Sequence, residues 1–130
     1  MGRAFAAGLK AGMVVLLSGE LGAGKTRFTR GICAAFGILQ GVRSPSFNLE
    51  NVYHGENITI SHVDLYRVEE GPEAEDLDIW PRAEEGEALF IVEWGERLTV
   101  PPGQKGVVRV DFSVEPDGTR RIEVIQTNPT

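Results

Sequence analysis

An α/β fold with a mostly parallel central sheet flanked by helices is predicted by three features of the sequence. Met13-Val14-Val15-Leu16-Leu17-Ser18 and Ala88-Leu89-Phe90-Ile91-Val92 are continuous apolar runs, the pattern of strands buried on both faces, as in parallel sheets. A glycine-rich loop, Gly19-Glu20-Leu21-Gly22-Ala23-Gly24-Lys25-Thr26, joins the first run to a stretch of helical period from Lys25 to Phe36. Near the C-terminus, Val108, Val110, Phe112 and Val114 alternate with polar residues, Asp117-Gly118 turns, and Arg121 to Thr127 returns. That last pattern predicts an antiparallel hairpin with one face in water.

The remaining elements follow from local chemistry. The alanine-rich stretch Arg3 to Lys10 predicts a short helix closed by Gly12. In the helix after the glycine loop, Phe28, Ile32 and Phe36 recur every fourth residue, with Gly37 just past the end. Ser44-Pro45-Ser46 marks a loop; Phe47 to Tyr53 and Ile58 to Leu65 then read as two strands joined around His54-Gly55-Glu56-Asn57. The acidic stretch Glu69 to Asp78 suits a short helix or surface loop starting near Pro72. Pro101-Pro102-Gly103 breaks the chain before the final hairpin.

At 130 residues the chain has length for one core. No repeat or linker divides it, so 1–130 is expected to be a single domain. Its net charge of −6 speaks against a protein whose main task is gripping nucleic-acid phosphates, which calls for a basic stripe. Arg27, Arg30 and Arg43 flank the glycine loop and leave room only for a local basic patch. The single cysteine, Cys33, excludes an internal disulfide and suggests a cytoplasmic setting; its apolar helix neighbours mark it as core filler. No signal peptide and no membrane span is expected.

The glycine loop matches G-x-x-x-x-G-K-S/T in full, the phosphate-binding loop or P-loop. Glycines let the backbone curl so that successive N–H groups converge on phosphate, and the helix start adds the positive end of its dipole. Lys25 reaches the terminal phosphates, and the Thr26 hydroxyl suits magnesium. The nucleotide-binding set is therefore Gly19, Glu20, Leu21, Gly22, Ala23, Gly24, Lys25, Thr26 and Arg27. Such a site also needs a carboxylate at a strand end. Glu93, directly after the second apolar run, and Asp64, closing the strand from Ile58, both qualify. Trp94 stands at the carboxyl edge of the sheet, where an indole can stack on a base or simply pack. The Ser44 to Phe47 loop lies where many such proteins place a hydroxyl that senses the γ-phosphate. No Asn-Lys-x-Asp motif signals guanine, so adenine is preferred.

Four segments together resemble the TsaE family: the loop Gly19 to Thr26, Ser44-Pro45-Ser46-Phe47, His62-Val63-Asp64-Leu65-Tyr66-Arg67 and Glu93-Trp94-Gly95-Glu96-Arg97, in the family's order and spacing. The resemblance implies a small ATPase that takes part in making the threonylcarbamoyl modification of tRNA adenosine. It implies weak ATP hydrolysis, a nucleotide-dependent switch on a complex of TsaB and TsaD, contact with tRNA only through that complex, and no membrane partner. By position, it implies that Lys25 and Thr26 bind phosphate and magnesium, that Ser46 stands in a first switch and Asp64 in a second, that Glu93 lies near the metal, and that Trp94 lies against adenine. The expected catalytic set is Lys25, Asp64 and Glu93; the expected magnesium set is Thr26, Ser46 and Glu93. Where the family usually has threonine in its Ser-Pro-Thr-Phe loop, Ser46 keeps the hydroxyl and loses the methyl. Family members usually begin earlier, ahead of the helix expected at Arg3 to Lys10. The competing expectation is a free-standing small-molecule kinase with the same loop, which would also need an acceptor site and a lid.

Overall fold

The computed structural model describes residues 5–19, 22–45, 49–66 and 75–127; at 22, 23, 126 and 127 it describes backbone only. Strands β1 (Val14–Ser18), β2 (Glu50–Gly55), β3 (Ile58–Asp64), β4 (Leu89–Glu93), β5 (Val107–Val114) and β6 (Arg120–Thr127) form one sheet. Its order is β2-β3-β4-β1-β5-β6. β1 runs parallel to both β4 and β5, and β3 runs parallel to β4. Antiparallel hairpins β2–β3 and β5–β6 close the two edges. This is the mostly parallel sheet with a C-terminal hairpin that the sequence predicts.

The apolar runs fill both faces of the sheet because side chains alternate along a strand. On one face Val15, Leu17, Ile60, Leu89, Ile91, Val108, Val110 and Phe112 pack under helix α1 (Gly22–Ala35), which contributes Phe28, Ile32 and Cys33. Phe28 meets Phe112 edge-on, with ring centroids 5.5 Å apart. On the other face Val14, Leu16, Val63, Phe90, Val92 and Val107 pack with Ile79 and Ala83 of a short helix α2 (Ile79–Glu84). Cys33 is fully buried, and burial pushes its thiol up to about 12, as suits core filler.

Several boundaries differ from expectation for local reasons. α1 begins at Gly22 rather than Lys25, because the last glycines of the loop wind directly into the first turn. It ends as expected, with Gly37 at φ 87° and Ile38 N–H donating to Cys33 C=O at 2.9 Å. Phe47 lies outside the described residues, and β2 is described from Glu50. The β2–β3 turn takes only Glu56 and Asn57, the latter at φ 57°. The acidic stretch lies outside the described residues up to position 74, whereas α2 follows it, entered through Asp78 at φ 52°.

Arg82 ties α2 to the sheet. Its guanidinium donates to Glu50 Oε2 at 2.7 Å and to Glu87 Oε2 at 2.6 Å, and lies 5.0 Å from the centroid of the Phe90 ring. Burial raises the Glu50 carboxyl, but hydrogen bonds from Arg82 and Ser61 outweigh it and leave the carboxyl below its ordinary value. Among the described residues, no helix is long and apolar enough to cross a membrane.

Candidate functional site

The carboxyl ends of β1, β3 and β4 lie side by side, with Leu17 in register with Glu93 and Glu93 in register with Asp64. Ligands of open α/β sheets bind along such an edge. The two-residue period of the strands decides which side chains meet there. Ile60 and Ile91 face α1, so His62, Asp64 and Glu93, at even spacing from them, belong to the same face. The first turn of α1 brings Lys25 and Thr26 to that face.

Gly19 follows β1 at φ 112°, and a Cβ there would lie 2.1 Å from the carbonyl oxygen of Phe112 on β5. The first glycine of the loop is therefore required by the neighbouring strand as well as by the left-handed turn. Glu20 and Leu21 lie outside the described residues, while Gly22, Ala23 and Gly24 open α1.

Lys25 is fully buried. Its Nζ donates to the Gly19 carbonyl and stands 3.8 Å from the centroid of the Trp94 ring, a cation–π contact. Burial holds its ammonium below the ordinary lysine value against the opposing pull of Glu96, Glu93 and Asp64. Thr26 Oγ1 lies 3.3 Å and 3.4 Å from the two carboxylate oxygens of Glu93 and 3.1 Å from Ser44 Oγ. Arg27 is exposed on the same helix and stands outside this cluster.

Glu93 is buried at 2% exposure, and its Oε2 lies 2.5 Å from His62 Nε2. The other ring nitrogen of His62, Nδ1, lies 3.1 Å from the Tyr53 hydroxyl. Asp64 Oδ1 accepts the Tyr66 backbone N–H at 2.9 Å. Burial raises the Asp64 carboxyl above its ordinary value, and Glu93 adds to the rise; the Tyr66 N–H, His62 and Lys25 oppose it.

Trp94 has a left-handed backbone, φ 59° and ψ 42°, uncommon for so bulky a residue. It follows β4 directly, and two cations lie close to its ring, Lys25 Nζ at 3.8 Å and the Arg97 guanidinium carbon at 4.8 Å from the centroid. Tyr66 lies alongside, with centroids 5.4 Å apart. The ring expected against adenine thus stands at the loop lysine. Ser46, the remaining expected magnesium ligand, lies outside the described residues.

The donors gathered here are hydroxyl and carboxylate oxygens, the set a hard divalent cation takes. Among the described residues no three His, Cys, Asp or Glu side chains converge as a metal cage. Magnesium at nucleotide sites uses one or two carboxylates with phosphates and water, so Thr26 with Glu93 fits that chemistry. The structure adds three residues absent from the expected set: His62, Tyr53 and Ser44. His62 was visible within the His62 to Arg67 segment, and its strand period already placed it on the face of Asp64.

Comparison with known proteins points to one family. A family model, Threonylcarbamoyl adenosine biosynthesis protein TsaE, matches residues 1–122. The chain is similar to the tRNA threonylcarbamoyladenosine biosynthesis protein TsaE of Streptomyces coelicolor, 43% identical over 99 residues that cover 74% of this chain and 66% of that one. The protein of the same name from Treponema pallidum is 37% identical over 119 residues, 89% of this chain and 84% of that one. The crystal structure of YdiB from Bacillus subtilis superposes with a TM-score of 0.67 and 27% identity, over 93% of this chain and 72% of that one.

Proposed function

The chain belongs to the TsaE family, and from that premise we propose that it is an ATP-binding protein of tRNA threonylcarbamoyladenosine biosynthesis. In this proposal residues 1–130 form one ATP-binding domain that hydrolyses ATP weakly and acts as a nucleotide-dependent switch on TsaB and TsaD. Contact with tRNA runs through that complex, and the setting is cytoplasmic, in keeping with a single buried thiol at Cys33. The observation that carries the proposal is the approach of Thr26 Oγ1 to Glu93, 3.3 Å, beside a buried Lys25.

The roles follow from chemistry. Lys25 supplies a fixed positive charge for the terminal phosphates, and the loop amides and the start of α1 supply the rest of the cradle. Thr26 and Glu93 would hold magnesium, with Ser46 as a further hydroxyl from the adjoining loop. Magnesium at such a site neutralises charge on the phosphate oxygens. Asp64, raised toward its protonated form by burial and by Glu93, is suited to exchange a proton with water near the terminal phosphate. Trp94 screens Lys25 from water on one side.

Single-turnover ATP hydrolysis with and without TsaB and TsaD tests the proposal. Phosphate released faster with both partners supports the switch; rapid transfer to a small metabolite instead would make the protein a kinase. Lys25→Ala is expected to abolish magnesium-ATP binding in calorimetry, because the terminal phosphates lose their lysine. Unchanged affinity would contradict the assignment of the loop.

A further inference from the structure

We propose that His62 is a positioning residue that aims the Glu93 carboxylate at Thr26, and that Tyr53 locks His62 and joins it to the loop at Arg43 and Ser44. The proposal rests on the nucleotide and magnesium assignment above. Its basis is a closed ring of hydrogen bonds. Thr26 Oγ1 contacts Glu93 at 3.3 Å, and Glu93 Oε2 contacts His62 Nε2 at 2.5 Å. His62 Nδ1 contacts the Tyr53 hydroxyl at 3.1 Å. That hydroxyl lies 3.1 Å from the Arg43 carbonyl and accepts the Arg43 N–H at 3.3 Å. The next residue, Ser44, returns to Thr26 at 3.1 Å. The ring crosses α1, β2, β3, β4 and the loop after α1.

Burial makes the His62 contact directional. His62 is fully buried and Glu93 nearly so. A buried carboxylate must keep its partners, and a partner at 2.5 Å fixes which way the group turns. The imidazole cannot rotate to release it, because both ring nitrogens are engaged. The Tyr53 hydroxyl has one proton; given to Nδ1 rather than to the Arg43 carbonyl, it leaves the Nε2–H to donate to Glu93, and in that arrangement Tyr53 selects the tautomer. The bond it accepts from the Arg43 N–H carries the same constraint into the segment just ahead of Ser46. Asn51 Nδ2 donates to the Arg43 carbonyl at 3.1 Å and steadies that peptide. Residues that orient a metal-binding side chain typically change metal affinity by about 10- to 100-fold when removed.

The test compares His62→Gln, His62→Asn and His62→Leu with the parent chain. Glutamine can present an amide N–H where Nε2 stands, whereas asparagine reaches only the Tyr53 side and leucine offers neither donor. The readout is the ratio of dissociation constants for a non-hydrolysable ATP analogue without and with magnesium, measured by calorimetry. For leucine and asparagine the ratio is expected to fall by about 10- to 100-fold, and glutamine is expected to restore most of it. Equal ratios in the glutamine and asparagine variants would overturn the proposal, and that comparison stands even if the leucine variant does not fold. An unchanged ratio in a folded leucine variant would overturn it too. A parent chain whose affinity ignores magnesium would instead overturn the metal assignment itself, and this proposal with it.

Discussion

Gly95→Ala tests how closely the turn after β4 is built against the central strand. Gly95 is buried, and a Cβ there would lie 2.6 Å from Leu16 Cβ, 2.9 Å from Leu16 Cα and 3.1 Å from its carbonyl carbon. Two of those atoms are backbone of β1, held between β4 and β5, so the strand cannot yield. Carbon atoms in good contact sit about 3.5 Å apart or more, so the turn Gly95–Arg97 must retreat by about 0.9 Å. Overpacking of this kind typically costs about 1–3 kcal/mol. At about 2.1 cal/mol/K per residue, 130 residues give an unfolding entropy of about 270 cal/mol/K. Each kcal/mol then lowers Tm by about 3.7 °C, and the substitution should lower it by about 4–11 °C. The same retreat shifts Trp94, the preceding residue, relative to Lys25, so tryptophan emission should change in the folded state. A Trp94→Phe background separates this signal from that of Trp80. Melting curves within about 1 °C of the parent, with unaltered Trp94 emission, would refute the close approach of Gly95 to Leu16.

Asp64→Asn should stabilise the protein at neutral pH. The folded Asp64 carboxyl is raised above its ordinary value, so in the window between the two values the native state binds more protons than the unfolded state. Stability therefore falls as pH rises through that window and stays lowered above it. The Asn variant should melt higher than the parent at neutral pH, with the difference shrinking below the ordinary carboxylate range; a lower Tm at neutral pH would show that Asp64 is a net stabilising group. Cys33, with its thiol pushed from 9.0 up to about 12, has about a thousandfold less thiolate than an ordinary cysteine at mildly alkaline pH. It should react with a thiol reagent only as the protein unfolds, and immediate labelling of the native chain would place it outside the core.

Much of this fold was legible because its main signals are local. The runs Val14–Ser18 and Leu89–Glu93 are apolar at nearly every position, which only a two-sided burial explains. The glycine loop announces both its turn and the helix it starts. Helix α2 was not legible: it has six residues with Pro81 inside, too short to show a period and carrying a residue that reads as a breaker. Its stability comes from burying Ile79 and Ala83 one turn apart and from Arg82 reaching across to Glu50. In the site, Asp64 and Glu93 were legible as strand ends. The pairing of His62 with Glu93 was not, because it depends on β3 and β4 being neighbours in a particular register, and the two residues lie 31 positions apart. The left-handed backbone at Trp94 and the close approach of Gly95 to Leu16 likewise have no local signature in the sequence.

The charges at the sheet edge are arranged for something other than one another. Lys25 stands near Glu93, Glu96 and Asp64, yet burial still outweighs them and holds its ammonium below the ordinary value. Asp64 feels Lys25 and His62, yet burial and Glu93 outweigh both and hold its carboxyl above the ordinary value. Had the fold used these groups as an internal ion pair, each would have moved the opposite way, Lys25 up and Asp64 down. Both are instead disfavoured in their charged forms, so the edge carries a destabilisation that mutual attraction leaves in place. Added negative charge at Lys25 and added positive charge between Thr26 and the carboxylates would relieve it from both sides. A polyphosphate accompanied by a divalent cation brings those two charges together in one ligand. Binding of either component alone should therefore leave one of the two groups uncompensated, which is why the affinity ratio with and without magnesium is the more telling measurement at this site than affinity itself.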